Sequence, residues 1–260
     1  MTKIQDAFKN KKAFIAFITA GDPDLETTEK IIISMVQNGV DLIELGIPFS
    51  DPIAEGPVIE QASMRSLANG TTTDKIFDMV KRVREKVHIP MAFMTYANLL
   101  FVYGKEKFFA KCREVDINAI IIPDIPFEEK DELLAYANKE NVDMVSLIAP
   151  TSMQRVGMIA KEAQGFIYLV SSLGVTGVRS EIKTDLDSIV KVIRQNSNIP
   201  IGIGFGIATP EQAQKAAETA DAAIVGSAIV KLIAQYGKGA PGPVGEYVKK
   251  MKDAVMRAAK

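Results

Sequence analysis

A carboxylate sits inside an apolar strand pattern at Val40-Asp41-Leu42-Ile43-Glu44-Leu45-Gly46, and the chain then runs straight into the turn-rich stretch Ile47-Pro48-Phe49-Ser50-Asp51-Pro52. Strand side chains alternate faces, so Glu44 shares a face with Val40 and Leu42 while Ile43 and Leu45 take the other. Desolvation in such a layer raises a carboxyl pKa and lets the group give or take a proton near neutral pH. A buried glutamate paired with a distant base is the alternative reading of the strand alone.

Glycines cluster late, in Gly202-Ile203-Gly204-Phe205-Gly206 and in Gly226-Ser227. Small residues let backbone N–H groups approach a phosphate, and a helix start adds a favourable dipole. Ser227 reads as an N-cap with free amides beside it. Relief of crowding between elements would also account for these glycines. A third glycine-rich stretch, Ser171 to Ser180, has the length of a closing lid, with Gly177 toward the phosphate end and Thr176 able to hydrogen-bond a carboxylate. Phe17, Met94, Tyr96, Ile121, Tyr168 and Phe205 fall on the C-terminal halves of apolar runs, where flat walls can sandwich an aromatic ring. A ligand with an aromatic end and a phosphate end would suit this set.

These residues need elements to hold them. Short β-rich runs occur at Ala13 to Thr19, Val40 to Gly46, Pro90 to Tyr96, Asn118 to Pro123, Asp143 to Ile148, Phe166 to Ser171, Ile199 to Gly204 and Asp221 to Gly226. Amphipathic helical stretches separate them, among them Leu25 to Gln37, Asp74 to Lys86, Glu128 to Lys139, Asp185 to Arg194 and Pro210 to Thr219, and Pro243 to Ala259 follows the last run. Eight strand–helix repeats predict an α/β fold, a single (β/α)₈ barrel with extra helices, with residues 1–260 forming one domain. Chemistry then belongs on the loops after the strand C-terminal ends, where Glu44 and the Pro48 to Pro57 loop lie. A dinucleotide-binding sheet would need G-x-G-x-x-G after an early strand, and Ile18-Thr19-Ala20-Gly21-Asp22-Pro23 does not supply it.

The chain has 260 residues, 47% of them hydrophobic, and a formal net charge of −1, so it lacks the basic field that nucleic acid or an anionic membrane requires. The start carries no signal-peptide core and no later run has membrane-spanning length, which predicts a cytoplasmic location. Cys112 is the single cysteine and has no metal-spaced neighbour, and the single histidine, His88, sits at a helix-to-strand junction. Acid and base work therefore falls to carboxylates, and neither a metal nor a cofactor is implied.

Seven segments, in order and from end to end, resemble those of the tryptophan synthase α subunit family: Phe17-Ile18-Thr19-Ala20-Gly21-Asp22-Pro23, Glu44 to Pro52, Tyr96-Ala97-Asn98, Pro123-Asp124-Ile125-Pro126, Gly174-Val175-Thr176-Gly177, Gly204-Phe205-Gly206-Ile207 and Gly226-Ser227-Ala228. The resemblance implies a lyase of tryptophan biosynthesis that cleaves indole-3-glycerol phosphate to indole and glyceraldehyde 3-phosphate. It also implies an α2β2 complex in which a pyridoxal-phosphate β subunit takes the indole. By position, Glu44 matches the catalytic glutamate. Gly177, Gly206, Gly226 and Ser227 match the phosphate ligands, and Phe17, Tyr96, Tyr168 and Phe205 match the indole pocket.

The chain departs from the family at one informative place. Where the family usually has Ala-Asp-Gly-Pro, it reads Ala54-Glu55-Gly56-Pro57, which keeps the charge one methylene farther from the backbone. Glu55 is expected to face the indole N–H or Thr176 and to support slower cleavage than aspartate would. Asp51 is expected to order its loop and Asp124 to cap a helix. A free-standing indole-releasing lyase and a mainly allosteric subunit weakened at position 55 remain as alternatives. A cyclase of the same fold is disfavoured, because the ends of the first and fifth strands carry no inward aspartate.

Overall fold

In a computed structural model, residues 3–171, 185–204 and 206–258 are described. Nine parallel strands make one sheet: β1 Ala13–Thr19, β2 Leu42–Gly46, β3 Met91–Met94, β4 Ala119–Ile121, β5 Asp143–Met144, β6 Ser146–Ile148, β7 Ile167–Val170, β8 Ile201–Gly204 and β9 Ala222–Val225. Their order is β5-β4-β3-β2-β1-β9-β8-β7-β6, so the two edges are consecutive pieces of one chain run. β5 ladders onto β4 and β6 onto β7, with the change of partner at Val145. The fifth of the eight expected strands is thus split, and the sheet curls into a nearly closed (β/α)₈ barrel with additional helices.

Alternation along the strands separates two apolar layers. Ile15, Leu42, Ala92, Ala119, Ile121, Tyr168 and Ile224 fill the interior, while Phe14, Ala16, Ile18, Ile43, Leu45 and Phe93 face the helices. Ile4, on the short 3₁₀ helix Lys3–Phe8, joins the interior cluster, and Phe8 packs on Phe166 with ring centroids 5.7 Å apart. That helix closes the end of the barrel opposite the loops that follow the strands.

Local signals set the helix boundaries. The Asp24 carboxylate accepts the Thr27 N–H at 2.7 Å and starts Leu25–Gln37. Thr209 and Gln212 form a reciprocal capping box ahead of Pro210–Thr219, with proline at the first turn. At the closed end, Asp41 receives Lys11 Nζ and Lys252 Nζ at 2.6 Å each and the Phe14 N–H at 2.7 Å. One carboxylate thereby ties the start of β2 to the segment before β1 and to the last helix, Pro241–Arg257.

At the opposite end Asp22, 1% exposed, takes Arg65 Nε and Nη2 at 2.8 Å each, which anchors the β1 loop to helix Pro57–Ala68. That helix follows the loop carrying Glu55, so the bidentate pair fixes the loop's far end. His88 is exposed between a helix and β3, and Cys112 is buried, its thiol pushed up by desolvation. Among the described residues no helix is long and apolar enough to cross a membrane, and no cluster of His, Cys, Asp and Glu has the makings of a metal site.

Candidate active site

Glu44 lies in β2 with Phe17 of β1 on one side in register and Ala92 of β3 on the other. Its carboxyl group is fully buried, and neither oxygen has a hydrogen-bond partner among the described residues. Desolvation pushes its pKa up to about 8, so the group is a protonated acid at neutral pH. The pairing with a distant base left open by the strand pattern is absent among the described residues. An unpaired buried acid costs stability, and such groups gather where chemistry uses them.

The carboxyl opens into a cavity at the C-terminal ends of the strands. Phe17, Met94, Leu147, Tyr168 and Ile224 line it from the barrel interior, Pro123 and Ile207 from strand ends, and Ala54, Glu55 and Ile59 from the loop and helix after β2. Gly206, Gly226 and Ser227 complete the lining. The cavity volume is ≈ 50 Å³, within a concavity of ≈ 640 Å³ counted out to solvent. The inner part has room for a few waters, while the outer dimension is that of a small-molecule site.

Glu55 is the second carboxyl of the cavity. Partial burial pushes its pKa up to about 7, against about 8 for Glu44. Near pH 7.5 the deeper acid therefore keeps its proton while the shallower one is mostly ionised. Opposite assignments for two carboxyls follow from depth alone.

The other end of the cavity is polar through its backbone. Helix Ser227–Tyr236 begins there, with Gly226 as its N-cap and no side-chain cap hydrogen bond, a helix start whose dipole favours negative charge. Ser227 is the first helical residue and not the cap, as its type alone suggested, because the non-helical backbone belongs to Gly226. Crowding matters at this glycine too: a Cβ on Gly226 would stand 3.3 Å from Phe17. Gly206, in the turn after β8, also lines the cavity and has φ +85°, a conformation that favours glycine.

The other expected site residues are distributed as follows. Ile121 is fully buried in the barrel interior but is not among the described residues lining the cavity; Pro123, two residues on and on the same face, occupies that level. Tyr96 is also not among the described lining residues and hydrogen-bonds a loop instead. Asp51 is exposed and accepts the Ser50 hydroxyl. Asp124 accepts the Ala97 N–H with both oxygens, at 3.0 and 3.2 Å, capping helix Ala97–Tyr103. Thr176, Gly177 and Phe205 lie outside the described residues. Pro123, Leu147, Ile207 and Ile224 escaped the sequence reading; the inward parity of Leu147 and Ile224 was available, but nothing in the pattern gave their height along the barrel axis.

Residues 4–256 match the family model described as "Tryptophan synthase alpha chain". A tryptophan synthase alpha chain from Lacticaseibacillus casei is 46% identical over 255 residues, covering 98% of this chain and 96% of that relative. The structure of Mycobacterium tuberculosis tryptophan synthase superposes with a TM-score of 0.89 at 28% identity, covering 98% of each chain. A tryptophan synthase complex from Pyrococcus furiosus gives 0.86 at 30% identity, covering 97% of this chain and all of that one, 100%. With the match running through every strand of the barrel and through both ends of the cavity, the chain belongs to the tryptophan synthase alpha chain family.

Proposed function

We propose that this cavity cleaves indole-3-glycerol phosphate to indole and glyceraldehyde 3-phosphate, with Glu44 and Glu55 as the catalytic residues. The family's place in tryptophan biosynthesis makes the chain a lyase, and the observation that carries the residue roles is one cavity joining an unpaired, protonated Glu44 to an uncapped helix start. The bond between indole C3 and the glycerol chain breaks in a retro-aldol-like step. Protonated Glu44 donates to C3, which leaves positive charge on the ring nitrogen. The resulting carboxylate then takes the proton of the adjacent side-chain hydroxyl. As that O–H bond opens, its electrons form the aldehyde carbonyl, the carbon–carbon bond breaks, and its electrons return to the ring and neutralise the nitrogen. Glu44 ends protonated as it began.

Glu55, ionised, stabilises the nitrogen while it is cationic, an interaction stronger in the transition state than in the ground state. Phe17, Met94 and Tyr168 hold the indole, and the N–H groups around Gly206, Gly226 and Ser227 hold the phosphate. The resemblance of their segments to the family supports giving Gly177 to the phosphate, Phe205 to the indole, and Asp51 and Thr176 to closure over the ligand. Residues 1–260 act as one domain, and the site of action is the cytoplasm.

Indole passes to a β subunit in an α2β2 assembly. Ile53, 74% exposed, and Val102, 81% exposed, sit on segments that follow β2 and β3, where apolar side chains are available to a partner covering the barrel mouth. The test is indole release from indole-3-glycerol phosphate by the chain alone and with a β subunit. We expect release in both cases and faster turnover with the partner; no indole in either would overturn the reading, and an unchanged rate would leave a free-standing lyase.

A further inference from the structure

Tyr96 precedes helix Ala97–Tyr103 and is 2% exposed. Its ring stacks on Phe49, with centroids 5.1 Å apart and planes 23° from parallel. Its phenol oxygen accepts the Ala54 N–H at 3.1 Å, and Glu55 is the next residue. These two contacts hold both ends of the 49–54 segment. From behind, the Asp124 carboxylate fixes the Ala97 N–H, so the backbone that presents Tyr96 is itself anchored to the loop after β4. Among the described residues no ion pair holds the Glu55 carboxylate, and its position therefore depends on its backbone.

We infer that Tyr96 is a positioning residue that places Glu55 over the cavity by accepting the Ala54 amide proton. The side chain acts on the reaction through the loop and not as a wall of the aromatic pocket. Three loops, after β2, β3 and β4, are joined by this phenol and the Asp124 carboxylate into one support. The extra methylene of Glu55 makes that support more consequential, because a longer side chain carries a backbone error farther. A 1 Å misplacement near reacting groups costs about 10²-fold in rate.

The inference rests on the proposed reaction, and Tyr96→Phe tests it while keeping the ring on Phe49. The full chain is assayed for indole release with indole-3-glycerol phosphate, and exchange of the Ala54 amide is followed in parallel. We expect kcat to fall about tenfold or more with KM changed less than about threefold, the pattern of a lost transition-state interaction. The Ala54 amide should exchange faster than in the parent. Parental kcat with unchanged Ala54 exchange would overturn the inference. So would a Tyr96→Leu variant that raises KM while keeping kcat, since that outcome makes the ring a pocket wall. If the parent chain itself releases no indole, the underlying reaction fails and not the role of Tyr96; the exchange measurement still reports whether the phenol holds the loop.

Discussion

Replacing Glu44 with glutamine should abolish most indole release while making the protein more stable in alkaline solution. General acid and base functions are worth about 10²- to 10⁴-fold each, and Glu44 performs both, so single-turnover release should drop by at least about 10³-fold. The stability effect has the opposite sign. An ordinary glutamate ionises near 4.5, whereas burial holds Glu44 protonated up to about 8. Between those values the folded state binds a proton that the unfolded state has released, so folding stability declines as pH rises through the window and levels off above it. Integrated over the window, the decline is at most about 5 kcal/mol. Glutamine cannot ionise and escapes it. Denaturation curves should therefore coincide for parent and Glu44→Gln near pH 4 and separate near pH 9, with the variant ahead. Parallel curves at both values would mean that Glu44 ionises freely in the folded chain, and the buried-acid mechanism would fail.

Glu55→Gln should cost about 10²- to 10³-fold in kcat, the range for removing one electrostatic stabiliser of a developing charge. The pH dependence separates the two carboxyls. With Glu55 near 7 and Glu44 near 8, productive chain has Glu55 ionised and Glu44 protonated, and kcat/KM should trace a narrow bell between those values. Glu55→Gln should erase the acidic limb and leave the alkaline one. Because both groups line one cavity, the limbs belong to the pair, and each variant also moves the limb that remains. Glu55→Asp should raise the rate of indole release above the parent's, since aspartate restores the shorter reach; a rate equal to or below the parent's means that the loop already compensates for the methylene.

Much of this architecture was legible in the residues, for reasons that differ from place to place. Short apolar runs alternating with helical spacing gave the barrel, because strands such as β1, β2 and β7 are buried throughout while the helices between them bury one face. The split at Val145 was not legible, since the run from Asp143 to Ile148 has one composition and changes only its pairing partner. Parity put Glu44 and Phe17 on a common inward face, and register then set them side by side. Parity also put Ile121 inward but carried no information on height, so the cavity level belongs to Pro123. The Tyr96 contact spans 42 residues between two irregular segments, and no local pattern encodes a pairing of that kind. For Asp124, binding, loop ordering and capping were all open from the residues, with capping favoured; the helix it caps lies 27 residues back, a partner that no local pattern names.

The most direct measurement of the central claim is a crystal structure of the Glu44→Gln variant soaked with indole-3-glycerol phosphate, which the variant should bind and leave intact. The phosphate should lie on the N–H groups at Gly206, Gly226 and Ser227, the indole between Phe17 and Tyr168, and the position 44 side chain within hydrogen-bonding reach of the glycerol hydroxyl next to C3. Density that puts the phosphate beside Glu55, or the indole outside the barrel mouth with residue 44 turned away from it, would contradict the account.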